Sequence, residues 1–131
     1  MDKPRVLIID DDPAILSVIS RQLKKNYDVL AAGSVEQALI EIRKGFLPRV
    51  AIVDYMLPGL SGGDFIKDIP VDNCVPILIT AKRLDAKFIS DMMSRGAMYV
   101  LEKPFSFLEL KAMISKIIND LEKSDGQASR S

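Results

Sequence analysis

Short β-branched and aliphatic runs alternate along the chain with segments whose apolar positions recur every three or four residues. The runs lie at residues 6–9, 28–31, 50–53, 76–80 and 98–101, and each reads as a strand. Between and after them, Ile15, Leu16, Ile19 and Leu23 share one helical face, as do Val35, Leu39 and Ile42, and later Leu110, Ile114, Ile117 and Leu121. Residues 62–69 and 85–95 are shorter and less periodic and predict a third and a fourth helix. The alternation predicts five βα units around a parallel sheet, and strands this rich in Val and Ile suit a sheet covered on both faces. Asp12-Pro13 reads as a helix N-cap followed by proline at the first helical position, and Gly45, Gly59, Gly62 and Gly96 fall where elements should end. Residues 1–121 then form one domain. Residues 122–131, polar and aperiodic, are expected to be a loose tail or the start of a linker.

Composition narrows the function. At 131 residues the chain suits a single domain with one core. Lys plus Arg and Asp plus Glu both number 18, so the chain lacks the positive footprint of a protein that binds nucleic acid directly. No uncharged run reaches the length of a membrane span, and the first residues predict neither a signal peptide nor an anchor. There is one cysteine, Cys74, and no histidine, which excludes an internal disulfide, thiolate or imidazole metal sites and Ser-His or Cys-His nucleophile pairs. A reducing, cytoplasmic setting is expected. Chemistry must run on carboxylates, hydroxyls and lysines, and any metal must be a hard cation held by oxygen.

In an open parallel sheet the ligand crevice lies at the carboxyl ends of the strands. Strand one ends in Asp10-Asp11-Asp12, strand three in Asp54 and strand four in Thr80, while strand five runs into Lys103. Taken singly each is ordinary, since Asp caps and turns chains, Thr favours strands and Lys is usually solvated. As a set they are not. Carboxylates about 4 Å apart repel by about 1 to 4 kcal/mol at effective dielectrics of about 80 to 20, so Asp10, Asp11 and Asp54 together call for a cation or a shared proton. With oxygen ligands and room for water and a phosphoryl oxygen, Mg²⁺ is the natural choice. A free carboxylate beside such a cation, faced by an ammonium and a hydroxyl, is suited to attack phosphorus and form an acyl phosphate. Asp54, alone at its strand end, reads as the nucleophile.

The pattern resembles the receiver domain of bacterial two-component response regulators, of the chemotaxis-regulator type. The matching pieces are Ile8-Ile9-Asp10-Asp11-Asp12-Pro13, Val53-Asp54-Tyr55-Met56-Leu57-Pro58-Gly59 with Gly62 after it, Ile79-Thr80-Ala81, Gly96-Ala97 and Glu102-Lys103-Pro104-Phe105. They span nearly the whole chain in the expected order. The resemblance implies a flavodoxin-like sheet of order 2-1-3-4-5 and a cis Lys103-Pro104 bond. It makes Asp54 the phosphoacceptor, Asp11 a direct Mg²⁺ ligand, Asp10 a ligand through water, and the Met56 carbonyl the remaining protein ligand. Thr80 and Lys103 would contact the phosphoryl group. The donor would be the phosphohistidine of a sensor histidine kinase or histidine phosphotransfer protein, and the chain would catalyse only its own phosphorylation and dephosphorylation.

The resemblance further implies that Met56 and Lys82 border the phosphoryl group and tune its lifetime. The signalling face would comprise the fourth helix, fifth strand and last helix, through which two copies could also pair. In this family an aromatic ring commonly precedes the lysine by three residues and switches rotamer. Here that position is Val100, and Tyr99 should face away from the fourth helix by strand alternation. Two other readings remain open at this stage. A haloacid-dehalogenase-type phosphatase would use Asp10-x-Asp12 as its opening motif, although Ala14 stands where Thr or Val belongs and no acidic pair follows Lys103. A receiver-like module that acts through its surface without phosphorylation would usually lack part of the acidic set.

Overall fold

The structure, a computed structural model, describes residues 3–57, 62–67, 69–81 and 83–128. Its elements follow in the order β1 (Arg5–Ile9), α1 (Pro13–Leu23), β2 (Asp28–Ala32), α2 (Val35–Arg43), β3 (Val50–Asp54), α3 (Gly62–Lys67), β4 (Val75–Thr80), α4 (Ala86–Ser94), β5 (Tyr99–Glu102) and α5 (Phe107–Ala128). The strands form one parallel sheet in the order β2-β1-β3-β4-β5, as the resemblance implied.

The period-2 alternation of each strand sorts its side chains between two cores. Leu7, Ile9, Ala51, Val53 and Leu78 pack with α2, α3 and α4, including Val35, Phe65, Phe88 and Met92. Val6, Ile8, Val50, Ile52, Ile77 and Ile79 pack with α1 and α5, including Leu23, Leu110 and Ile114. All three inner strands are therefore apolar on both faces, which is why β1, β3 and β4 read as unbroken hydrophobic runs. β2 lies at an edge, so its pattern is more mixed.

Local signals set the helix starts. Asp12 Oδ1 accepts the Ala14 N–H at 2.9 Å with Pro13 in the first turn, as expected of an N-cap. Ser34 Oγ accepts from Gln37 N–H at 3.1 Å, and Asp85 Oδ1 from Phe88 N–H at 2.7 Å. Gly45 and Gly96 end α2 and α4 with φ of +109° and +108°, a left-handed conformation that glycine adopts without a Cβ clash. The Lys103–Pro104 bond is cis.

Two expectations need correction. Residues 122–128 continue α5 instead of forming a loose tail, because extending an existing helix adds one hydrogen bond for each residue fixed and needs no amphipathic face. Gly62 opens α3 instead of closing an element, for a reason that belongs to the site. Pro58, Gly59 and Lys82 lie outside the described residues, as do residues 129–131.

Candidate phosphoryl-transfer site

The sheet brings four of the singled-out side chains to one point. Asp10 follows β1, and its N–H donates to Ala32 O at 3.2 Å, which extends the β1–β2 ladder by one residue. Asp54 closes β3, and the next N–H, from Tyr55, donates to Ile79 O at 2.8 Å. Lys103 follows β5 and is fixed against β4 by its N–H, which donates to Thr80 O at 2.7 Å. Each group therefore hangs from backbone held by a neighbouring strand, the rigid support a reacting constellation needs.

Lys103 Nζ bridges the two buried acids, at 3.1 Å from Asp10 Oδ2 and 3.2 Å from Asp54 Oδ2. The other oxygens are also held. Asp10 Oδ1 accepts from Asp12 N–H at 2.9 Å, and Asp54 Oδ1 from Met56 N–H at 3.0 Å. Asp11, exposed at the rim, completes a cluster in which one carboxylate oxygen from each of Asp10, Asp11 and Asp54 lies within 4.8 Å of the others. Three hard oxygen donors, with no sulfur or imidazole beside them, can hold a hard divalent cation.

The electrostatics follow from burial. Asp10 is fully buried, and desolvation pushes its carboxyl above the ordinary value of 3.8; the Asp12 N–H and Lys103 pull it back and the charge of Asp54 adds to the rise. For Lys103, burial disfavours the charge, but hydrogen bonds and attraction from Asp10 and Asp54 together outweigh it and hold the ammonium above its ordinary range. Two buried carboxyl groups thus share one ammonium, and Asp11 adds a third carboxyl group at the rim.

The remaining candidates are placed as follows. Thr80 ends β4 and is fully buried. The Met56 side chain is mostly exposed beside the cluster. Lys82 is outside the described residues. Val100 packs on the α4 side of the sheet, while Tyr99 packs with the α1 and α5 core, the separation that strand alternation predicted.

Sequence reasoning missed what Gly62 does. A Cβ there would lie 2.1 Å from Asp54 O and 2.9 Å from Val53 Cγ1, so only glycine lets α3 begin against the backbone that carries Asp54. The close approach is a tertiary contact, and the only local signal was a glycine eight residues after the acid. Sequence reasoning also passed over Tyr55, whose ring meets Phe88 of α4 edge-to-face, with centroids 5.0 Å apart.

Comparison with known proteins bears on the family and the fold. The family model described as the response regulator receiver domain matches residues 6–115. The chain is 32% identical over 121 residues to the sensor histidine kinase TmoS of Ectopseudomonas mendocina, covering 90% of this chain and 12% of that protein. It is 30% identical over 113 residues to the DNA-binding response regulator MtrA of Mycolicibacterium smegmatis, covering 86% of this chain and 49% of that one. The chain thus spans half or less of the length of these relatives. Among solved structures, a CheY-like response regulator receiver domain protein from Methanospirillum hungatei superposes with a TM-score of 0.84 over 94% of this chain and 99% of that one, at 24% identity, and so shares the fold. These matches set aside the haloacid-dehalogenase reading. With its five strands in the order 2-1-3-4-5 and the family model matched across nearly all of them, the chain belongs to the response regulator receiver domain family of two-component systems.

Proposed function

We propose that Asp54 accepts a phosphoryl group from the phosphohistidine of a sensor histidine kinase or histidine phosphotransfer protein. The observation that carries this reading is the Lys103 bridge between two buried carboxylates, one of which, Asp54, closes β3. Mg²⁺, held by Asp10, Asp11, Asp54 and the Met56 carbonyl, would neutralise charge on the transferring group.

This chain's own residues account for the rest. An Asp54 carboxylate oxygen attacks phosphorus, the P–N bond to the donor imidazole breaks, and its electron pair returns to that nitrogen, leaving an acyl phosphate. Met56 N–H holds Oδ1 and so fixes the carboxylate plane before attack. Lys103, engaged with Oδ2 in the resting chain, gains a phosphoryl oxygen as its new anionic partner, and the Thr80 hydroxyl donates to another. Hydrolysis is the same displacement with water as the nucleophile, and the exposed Met56 side chain would border its approach.

An apolar groove lined by Ile15, Val18, Pro104, Phe105 and Phe107 borders Lys103, and Val18 is 59% exposed in it. It offers the donor protein an apolar seat beside the reacting atoms. Output would leave through α4, β5 and α5, which could also pair two copies. Among the described residues no helix is long and apolar enough to cross a membrane.

Incubation with acetyl phosphate and Mg²⁺, read by intact mass, tests the assignment. Wild type should gain one phosphoryl group, and both Asp54→Ala and wild type in excess chelator should gain none. Equal labelling of wild type and Asp54→Ala would refute it.

A further inference from the structure

We propose that the contact between Tyr55 and Phe88 carries the state of Asp54 into α4, the task that Val100 is too short and too stiff to perform. The inference rests on Asp54 being the phosphoacceptor. Val100 is half-buried on the α4 side of the sheet, and valine offers few χ1 states and no ring with which to sweep out space. Tyr99 is on the opposite face, among α1 and α5 residues, and has no path to α4 through the sheet.

Tyr55 is differently placed. It is bonded to the phosphoacceptor itself, and its backbone lies inside the turn closed by the Met56 N–H to Asp54 Oδ1 hydrogen bond of 3.0 Å. The next support is the Tyr55 N–H to Ile79 O bond of 2.8 Å, a pivot on β4. Phosphorylating Asp54 changes the charge and acceptor strength of the carboxylate that closes this turn, so the segment that must readjust is the one that carries the Tyr55 ring.

That ring is half-buried, held by contacts on one side and lining a cleft along α4 on the other. It meets Phe88 at 85° between ring planes, and a Cβ placed on Gly63 would come within 3.4 Å of Tyr55 Cε2 and 3.7 Å of Met92 Sδ. Phe88 is buried in the core beneath α4, and its own N–H is the one that Asp85 caps, so the contact meets the first turn of the helix. At the far end of α4, Arg95 reaches Asp64 of α3 at 3.4 Å and, one turn back within α4, Asp91 at 3.8 Å. Rings in edge-to-face contact move together or exchange between discrete arrangements, so a turn of the Tyr55 backbone shifts the capped end of α4.

The test compares amide hydrogen exchange across α4 with and without Mg²⁺ and beryllium fluoride, a phosphoryl mimic, alongside mass labelling by acetyl phosphate. In wild type and Tyr55→Phe, exchange in α4 should change by about five- to tenfold, a typical coupling. Tyr55→Leu and Phe88→Leu should take up the phosphoryl group as wild type does and lose most of that change. Tyr99→Phe should keep it. Should Tyr55→Leu fail to fold, Phe88→Leu answers from the other side of the contact. An undiminished α4 response in both leucine variants overturns this inference alone, as does loss of the response in Val100→Ala with retention in Phe88→Leu. Absence of labelling in wild type overturns the phosphoacceptor assignment, and this inference with it.

Discussion

The acids of the site differ most in burial, and that difference governs their titration. Asp10 is fully buried whereas Asp11 is exposed, so the first bears the desolvation cost and the second remains available at the rim. A carboxyl whose folded pKa is raised keeps its proton in the folded state after the unfolded chain has released it. Stability contributed by Asp10 is therefore full below 3.8 and declines as pH rises through its raised folded value, with a slope of at most about 1.4 kcal/mol per pH unit. Urea unfolding in chelator should show wild type losing stability relative to Asp10→Asn as pH climbs through that window. Parallel pH profiles for the two proteins would contradict the account. The chemistry at this scale was legible from residue types, because acids at strand ends can be recognised in a string. Which acid is buried was not, since burial depends on Lys103 arriving from 93 residues away.

Among the elements, those with strong period and local caps were readable, and those shaped by tertiary contact were not. α1 and α2 begin where Asp12 and Ser34 stand, and both caps are made. α3 is six residues long and owes its position to a contact with β3 that no periodicity records. The glycine at its start gives a direct check. Gly62→Ala puts a methyl against the Asp54 carbonyl, a backbone atom that cannot rotate away, and should cost about 1 to 3 kcal/mol while slowing phosphorylation of Asp54. Gly33→Ala meets only Gln37 Oε1 at 3.6 Å and should be neutral or stabilising by up to about 1 kcal/mol. Urea midpoints for the pair decide the matter; a Gly62→Ala protein as stable and as fast as wild type would show that α3 does not brace β3. The long α5 illustrates the opposite limit, where a sequence without an apolar face still extends a helix already nucleated and anchored by Leu110, Ile114 and Ile117.

For the whole molecule, the fold follows from three strands buried on both faces. β1, β3 and β4 must be covered above and below, so helices lie on both sides, and Asp10, Asp54 and Thr80 emerge together at the carboxyl edge. The alternation of strands and helices made that architecture legible, and five motif pieces in order made the family legible. The coupling of the site to α4 was not, because the Tyr55–Phe88 contact joins residues whose individual patterns read as ordinary core. Everything functional depends on Asp54 being the atom donor to phosphorus, and borohydride trapping tests this most directly. The reagent reduces an acyl phosphate to an alcohol with loss of phosphate, so protein treated with acetyl phosphate and Mg²⁺, then reduced, digested and sequenced, should carry homoserine at position 54 and nowhere else. Homoserine at Asp10 or Asp11, or an unreduced Asp54 in protein that has gained a phosphoryl group, would contradict the account.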